Sequence, residues 1–154
     1  MKDMKVLLVD DEEEFVKALA ERLKMRDLRS DTVLDGEEAL SYVEGQEPDV
    51  MVLDLKMPGI DGMEVLRQVR KAYPKIQVII LTGHGSERHE EEAKRLGAFD
   101  YLEKPVNLDV LVKKMKAAYR RKMEDTMVAA TFAEAGDFES AKKIMDEDEE
   151  SGRG

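Results

Sequence analysis

Val50-Met51-Val52-Leu53-Asp54-Leu55 runs straight into Lys56-Met57-Pro58-Gly59-Ile60-Asp61-Gly62. The first stretch is almost continuously apolar, as a strand covered on both faces must be. The second is a Pro/Gly loop that ends it. Asp54 falls where the strand breaks, so it is held by a rigid element while its carboxylate can face out of the sheet. Three other runs have the same form. Val6-Leu7-Leu8-Val9 leads to Asp10-Asp11, Val78-Ile79-Ile80-Leu81 leads to Thr82, and Phe99-Asp100-Tyr101-Leu102-Glu103 leads to Lys104-Pro105.

Short apolar runs alternating with longer stretches of helical period mark βαβ units around a parallel sheet, an α/β fold. Strands are expected near 5–10, 49–54, 76–82 and 99–103, with a weaker one near 29–34. Phe15, Leu19, Ala20 and Leu23 share one face of a first helix, and Ala39, Leu40 and Val43 a face of the second. Val65, Leu66, Val69 and Ala72 line a third, which Pro74 stops. The fourth helical stretch, Glu87 to Leu96, has only Ala93 and Leu96 as inward anchors and carries six charges in Glu87 to Glu92 taken with Lys94, so it should be the most weakly held. The fifth starts at Asn107, a good N-cap, and presents Leu108, Leu111, Val112, Met115, Ala118 and Tyr119 on one face.

A chain of 154 residues suits one domain with a real core, assigned to 1–120. Its formal net charge of −10 disfavours nucleic acid, whose binding rests on neutralising phosphates with Lys and Arg, and disfavours anionic membranes. The absence of cysteine excludes disulfides and thiolate metal sites and fits a reducing compartment. The N-terminal apolar run is too short for a signal peptide or a membrane span, so a cytoplasmic location is expected.

Residues 121–154 form a different segment, an acidic helical extension with a flexible end. They hold five basic and ten acidic side chains. The helical period continues through Met123, Met127 and Ala130, so the fifth helix is expected to reach about Ala135 before Gly136 stops it. Asp137 can cap a short helix holding Phe138, Ala141, Ile144 and Met145, and the two would make a helical hairpin. Ala135 to Ala141 resembles one turn of a tetratricopeptide repeat, but a single copy cannot build a solenoid.

In an open parallel α/β sheet, ligands sit outside the carboxyl ends of the strands. The polar groups at those ends are chemically complementary. Asp10, Asp11 and Asp54 would repel one another, by about 4 kcal/mol for a pair ~4 Å apart at an effective dielectric near 20. A cation relieves such repulsion, and an all-oxygen cluster suits Mg²⁺. With the fixed charge of Lys104 and the hydroxyl of Thr82 beside it, Asp54 is equipped to attack a phosphoryl group. Taken singly, each residue has a plainer reading. Asp10-Asp11 before Glu12-Glu13-Glu14 could be an N-cap and acidic first turn, Asp54 a loop opener, Thr82 a strand-end threonine and Lys104 a solvated lysine. It is their recurrence at four strand ends that argues otherwise.

Val6 to Asp11, Asp54 to Gly62, Leu81-Thr82-Gly83 and Gly97 to Pro105 together closely resemble the receiver domain of bacterial two-component response regulators, over residues 4 to about 120. The resemblance implies a flavodoxin-like, doubly wound five-stranded parallel sheet in the order 2-1-3-4-5 with five helices, to which the C-terminal helical extension is added. It implies that Asp54 accepts a phosphoryl group from a sensor histidine kinase or a phosphotransfer protein. Mg²⁺ (or Mn²⁺) would be held by Asp11, Asp54 and the backbone carbonyl of Lys56, and by Asp10 through water. Thr82 and Lys104 would bind the phosphoryl oxygens, and Tyr101 matches the aromatic that turns inward as the threonine moves. The signalling surface would then be the face made by the fourth helix, fifth strand and fifth helix.

Lys56 and His84 stand two residues after the phosphoacceptor and the threonine, and are expected to tune the lifetime of the phosphorylated state. The function expected is that of a stand-alone response regulator that controls an output protein, with no membrane or nucleic-acid partner. A second copy of the chain, bound through the signalling face or the C-terminal helices, is a further candidate partner. It would not be an enzyme beyond self-catalysed phosphotransfer and slow autodephosphorylation. The alternatives are a phosphorylation-independent adaptor and a haloacid-dehalogenase-like phosphatase. The latter would want a second carboxylate where Lys56 stands.

Overall fold

A computed structural model of the chain describes residues 3–134, with side chains through Met127. Five parallel strands, β1 (Val6–Val9), β2 (Ser30–Val33), β3 (Val50–Leu53), β4 (Gln77–Thr82) and β5 (Asp100–Glu103), form one sheet in the order β2-β1-β3-β4-β5. The helices are α1 (Glu13–Lys24), α2 (Gly36–Gly45), α3 (Gly62–Ala72), α4 (Glu87–Arg95) and α5 (Leu108–Glu134). The expected flavodoxin-like order is the one observed.

Because side chains alternate along a strand, each apolar run feeds two cores. Val6, Leu8, Val50, Val52, Ile79 and Leu81 pack with α1 and α5 residues such as Val16, Leu23, Leu111 and Met115. Leu7, Val9, Met51, Leu53, Val78 and Ile80 pack with Ala39, Val43, Val65, Leu66, Val69 and Ala93 from α2, α3 and α4. Ala93 is the one buried residue of α4, in line with its expected weak anchoring. The Asn107 side chain caps α5, accepting from the backbone N–H groups of Asp109 and Val110.

Ala72, expected to face inward, is exposed. It is the last residue of α3, and as the chain turns at Pro74 it is Tyr73 and the fully buried Ile76 that pack on the core.

Helix α5 continues unbroken through residue 120 to Glu134. Lys122 ties the first added turn to the amino-terminal edge of the sheet by an ion pair with Asp49, whose other oxygen accepts the Lys5 backbone N–H at 2.7 Å. Met123 and Met127, further along, are exposed. The expected helix after Asp137, with Phe138, Ala141, Ile144 and Met145, lies outside the described residues.

Candidate functional site

The carboxyl ends of β1, β3, β4 and β5 place Asp10, Asp54, Thr82 and Lys104 side by side. Asp54 follows directly from β3, and its backbone N–H continues the sheet ladder to the Val9 carbonyl at 2.9 Å. The Asp10 N–H does the same toward the Val33 carbonyl at 3.2 Å. Both acids are buried, Asp10 4% exposed and Asp54 2%. The loop after Asp54 returns so closely that a Cβ on Gly62 would lie 2.1 Å from the Asp54 carbonyl oxygen. Only glycine lets α3 begin there.

Lys104 reaches into the acids. Its Nζ donates to Asp10 Oδ2 at 2.6 Å and to Glu12 Oε1 at 3.0 Å, and stands 3.8 Å from Asp54 Oδ2. The Phe15 ring covers the ammonium, 4.2 Å from its centroid. Asp10 Oδ1 also accepts the Glu12 backbone N–H at 2.9 Å, closing a turn ahead of α1; the N-cap itself is Glu12, without a side-chain cap bond, so Asp10 is not the helix cap. Asp54 Oδ1 accepts the Leu55 N–H at 2.8 Å, whereas Asp54 Oδ2 is buried with no hydrogen-bond partner.

These contacts act on the charges. Burial, with the nearby Asp54 charge adding to it, pushes the Asp10 carboxyl above its ordinary value against the pull of Lys104 and the Glu12 N–H. Burial alone would lower the Lys104 ammonium, but hydrogen bonds to Asp10 and Glu12 and the charges of Asp10 and Asp54 outweigh it and hold it above the usual lysine value.

Carboxylate oxygens of Asp10, Glu12 and Asp54 lie within 4.8 Å of one another. Asp10 and Glu12 already bind the Lys104 ammonium, while Asp54 keeps one buried oxygen without a hydrogen-bond partner, and hard oxygens of this kind have the chemistry to hold a divalent cation of the Mg²⁺ type. The third carboxylate is Glu12, which the sequence offered only as part of an acidic first turn. Asp11 is exposed and, among the described residues, makes no hydrogen bond. Lys56 and His84 are likewise exposed, on the loops at this end of the sheet.

Thr82 is fully buried. Its carbonyl accepts the Lys104 N–H at 2.9 Å, and its Oγ1 accepts the His84 N–H at 3.2 Å. Tyr101 is turned inward and buried, packed against the loop after Thr82. A Cβ at Gly85 would fall 1.5 Å from the Tyr101 hydroxyl and 3.0 Å from Thr82 Cγ2. Gly85 thus leaves the space that the tyrosine fills. Burial raises the pKa of the Tyr101 phenol, Glu103 and Glu90 adding to it and the adjacent Ser86 N–H opposing.

Residues 6–116 match the response regulator receiver domain. The chain belongs to that family. Over 134 residues it is 37% identical to the response regulator MprA of Mycobacterium avium, an alignment covering 85% of this chain and 59% of that protein. The chain therefore spans less than two thirds of that relative's length. Among solved structures it is similar to the signal receiver domain of a putative LuxO repressor protein from Vibrio parahaemolyticus, with a TM-score of 0.77, 30% identity, and 81% of this chain and 96% of that one covered. NtrX from Brucella abortus is similar at a TM-score of 0.79 and 27% identity, covering 86% of this chain and 30% of that one.

Receiver domains typically bind Mg²⁺ at an acidic pocket and interact with histidine kinases, and response regulators are mostly signalling proteins rather than enzymes. Among the described residues, no helix is long and apolar enough to cross a membrane.

Proposed function

We propose that the protein is a cytoplasmic phosphorylation switch in which Asp54 accepts a phosphoryl group from a sensor histidine kinase or phosphotransfer protein. The observation that carries this reading is Asp54 Oδ2, buried at a strand end without a hydrogen-bond partner and 3.8 Å from the Lys104 ammonium. A carboxylate oxygen so placed is available to attack phosphorus. One O–P bond forms on Asp54 while the donor's P–N bond breaks, and the leaving imidazole keeps its electron pair and takes up a proton.

Lys104 supplies fixed positive charge to the transferred group, and the Thr82 hydroxyl, which accepts the His84 N–H and keeps its own O–H, supplies a donor. Asp11, Asp54 and the Lys56 carbonyl, with Asp10 through water, would hold Mg²⁺, which when bound neutralises charge on the phosphoryl oxygens. Lys56 and His84, exposed at the mouth, would set how fast water removes the phosphoryl group. Alanine at either position should change the dephosphorylation rate.

The output is a packing change. Thr82 drawn toward the phosphoryl group alters the wall against which Tyr101 rests, and α4, in which Ala93 is the one buried residue, costs little to move. Partners would be proteins that read the face made by α4, β5 and α5. Incubation with acetyl phosphate and Mg²⁺, read on a phosphate-affinity gel, tests the reading. The native chain should shift and Asp54→Asn should not. A native chain that stays unshifted, while still binding Mg²⁺, would leave only the phosphorylation-independent adaptor.

A further inference from the structure

Lys104 is the residue that must meet the transferred phosphoryl group, yet its ammonium is already engaged. It donates to Asp10 and Glu12 and is capped by the Phe15 ring, while Asp54 remains beyond hydrogen-bond reach at 3.8 Å. The two partners differ in how firmly they are placed. Asp10 is buried, whereas the Glu12 side chain, at the N-cap position just before α1, is 55% exposed. An exposed carboxylate regains its hydration when it lets go, so this contact is the one that can open at small cost.

We propose that Glu12 is a placeholder anion. Its carboxylate occupies the lysine in the resting state and must yield it to the incoming phosphoryl oxygen, so Glu12 determines how strongly the site penalises a highly charged phosphodonor. The proposal rests on the phosphoacceptor reading of Asp54 and adds a residue to it. Glu12 exchanges a hydrogen bond and takes no part in bond making. The O–P bond still forms on Asp54, and the donor's leaving group still departs with its electron pair.

Two features favour this over a role as one more first-turn acid. Glu13, its neighbour, pairs with Lys17 on the helix surface and does not touch Lys104. Glu12, by contrast, is drawn across 92 residues of sequence to the lysine and into the same group of carboxylates as the unsatisfied Asp54.

The test compares phosphorylation rates of the full chain, Glu12→Gln and Glu13→Gln at saturating Mg²⁺. The donors are acetyl phosphate, a dianion near neutral pH, and phosphoramidate, a monoanion. Magnesium affinity is measured separately by calorimetry on the unphosphorylated proteins. Glu12→Gln should react roughly two- to fivefold faster with acetyl phosphate, the range an exposed ion pair commands. The gain should be smaller with phosphoramidate and shrink at high salt.

Unchanged or slower rates in Glu12→Gln would overturn the proposal, as would an equal gain in Glu13→Gln. A tenfold or greater loss of Mg²⁺ affinity would also overturn it, by making Glu12 a metal ligand. A native chain that takes no phosphoryl group from either donor would instead remove the phosphoacceptor reading beneath it.

Discussion

Strand β3 has an aspartate beside each end, and the two are in opposite situations. Asp49, before Val50, is satisfied on both oxygens, one by the Lys5 backbone N–H and the other by Lys122. Asp54, after Leu53, is more deeply buried and leaves one oxygen without a partner. The same residue type on the same rigid element is thus structural at the amino edge of the sheet and chemically available at the carboxyl edge. A buried polar group without a partner costs stability of order 1–3 kcal/mol, and at Asp54 that cost falls where the family pocket lies.

Exchanging each acid for its amide should separate these roles most sharply. Asp54→Asn should abolish phosphoryl acceptance while keeping the fold. Asp49→Asn should accept phosphoryl groups normally but lose about 1–3 kcal/mol in denaturant unfolding. A phosphorylation defect at Asp49, or an active Asp54→Asn, would erase the distinction.

Magnesium should act at one end only. At a hundredfold excess over its Kd, Mg²⁺ should stabilise the native chain by about 2.7 kcal/mol, and Asp54→Asn by much less. The effect should depend on pH with a definite sign. The folded Asp10 pKa lies above the ordinary value of 3.8, so the native state binds this proton more tightly than the unfolded chain. Its ionisation therefore costs stability as pH rises through that window, and the bare carboxylate it creates is the form a cation binds. The thermal shift on adding Mg²⁺ should grow from about pH 4 to neutrality. A flat profile would mean that Asp10 takes no part.

A smaller effect is expected at Gly85. Alanine there cannot coexist with the inward Tyr101, so the ring should move outward, visible in fluorotyrosine NMR, at about 1–3 kcal/mol. Phosphorylation of Asp54 should persist in Gly85→Ala while its effect on Tyr101 is lost. An unchanged ring signal would show that the loop yields instead. The smallest effect belongs to Lys122→Ala, which should cost about 1 kcal/mol and leave phosphorylation untouched.

Most of the site could be read from the sequence because each half of the evidence is local. An apolar run specifies a covered strand, and the residue after it lies at the strand's end, so Asp10, Asp54, Thr82 and Lys104 came with their positions attached. Other features depend on where distant side chains land. Glu12 looks like its neighbours Glu13 and Glu14 until Lys104 arrives from β5. Asp49 and Lys122 are 73 residues apart and share no motif. Gly85 matters only because Tyr101 points inward, a rotamer no local pattern specifies. Ala72 fits the helical period of α3 but sits at its last residue, where the turn brings Tyr73 and Ile76 in its place.

The decisive measurement is chemical mapping of the adduct. After reaction with acetyl phosphate and Mg²⁺, borohydride reduction and peptide mass spectrometry should find aspartyl phosphate, trapped as homoserine, at Asp54 alone and none at Asp49. Reduction at another acid, or none in a chain that still binds Mg²⁺, would contradict the assignment of the unsatisfied Asp54 oxygen as the phosphoacceptor.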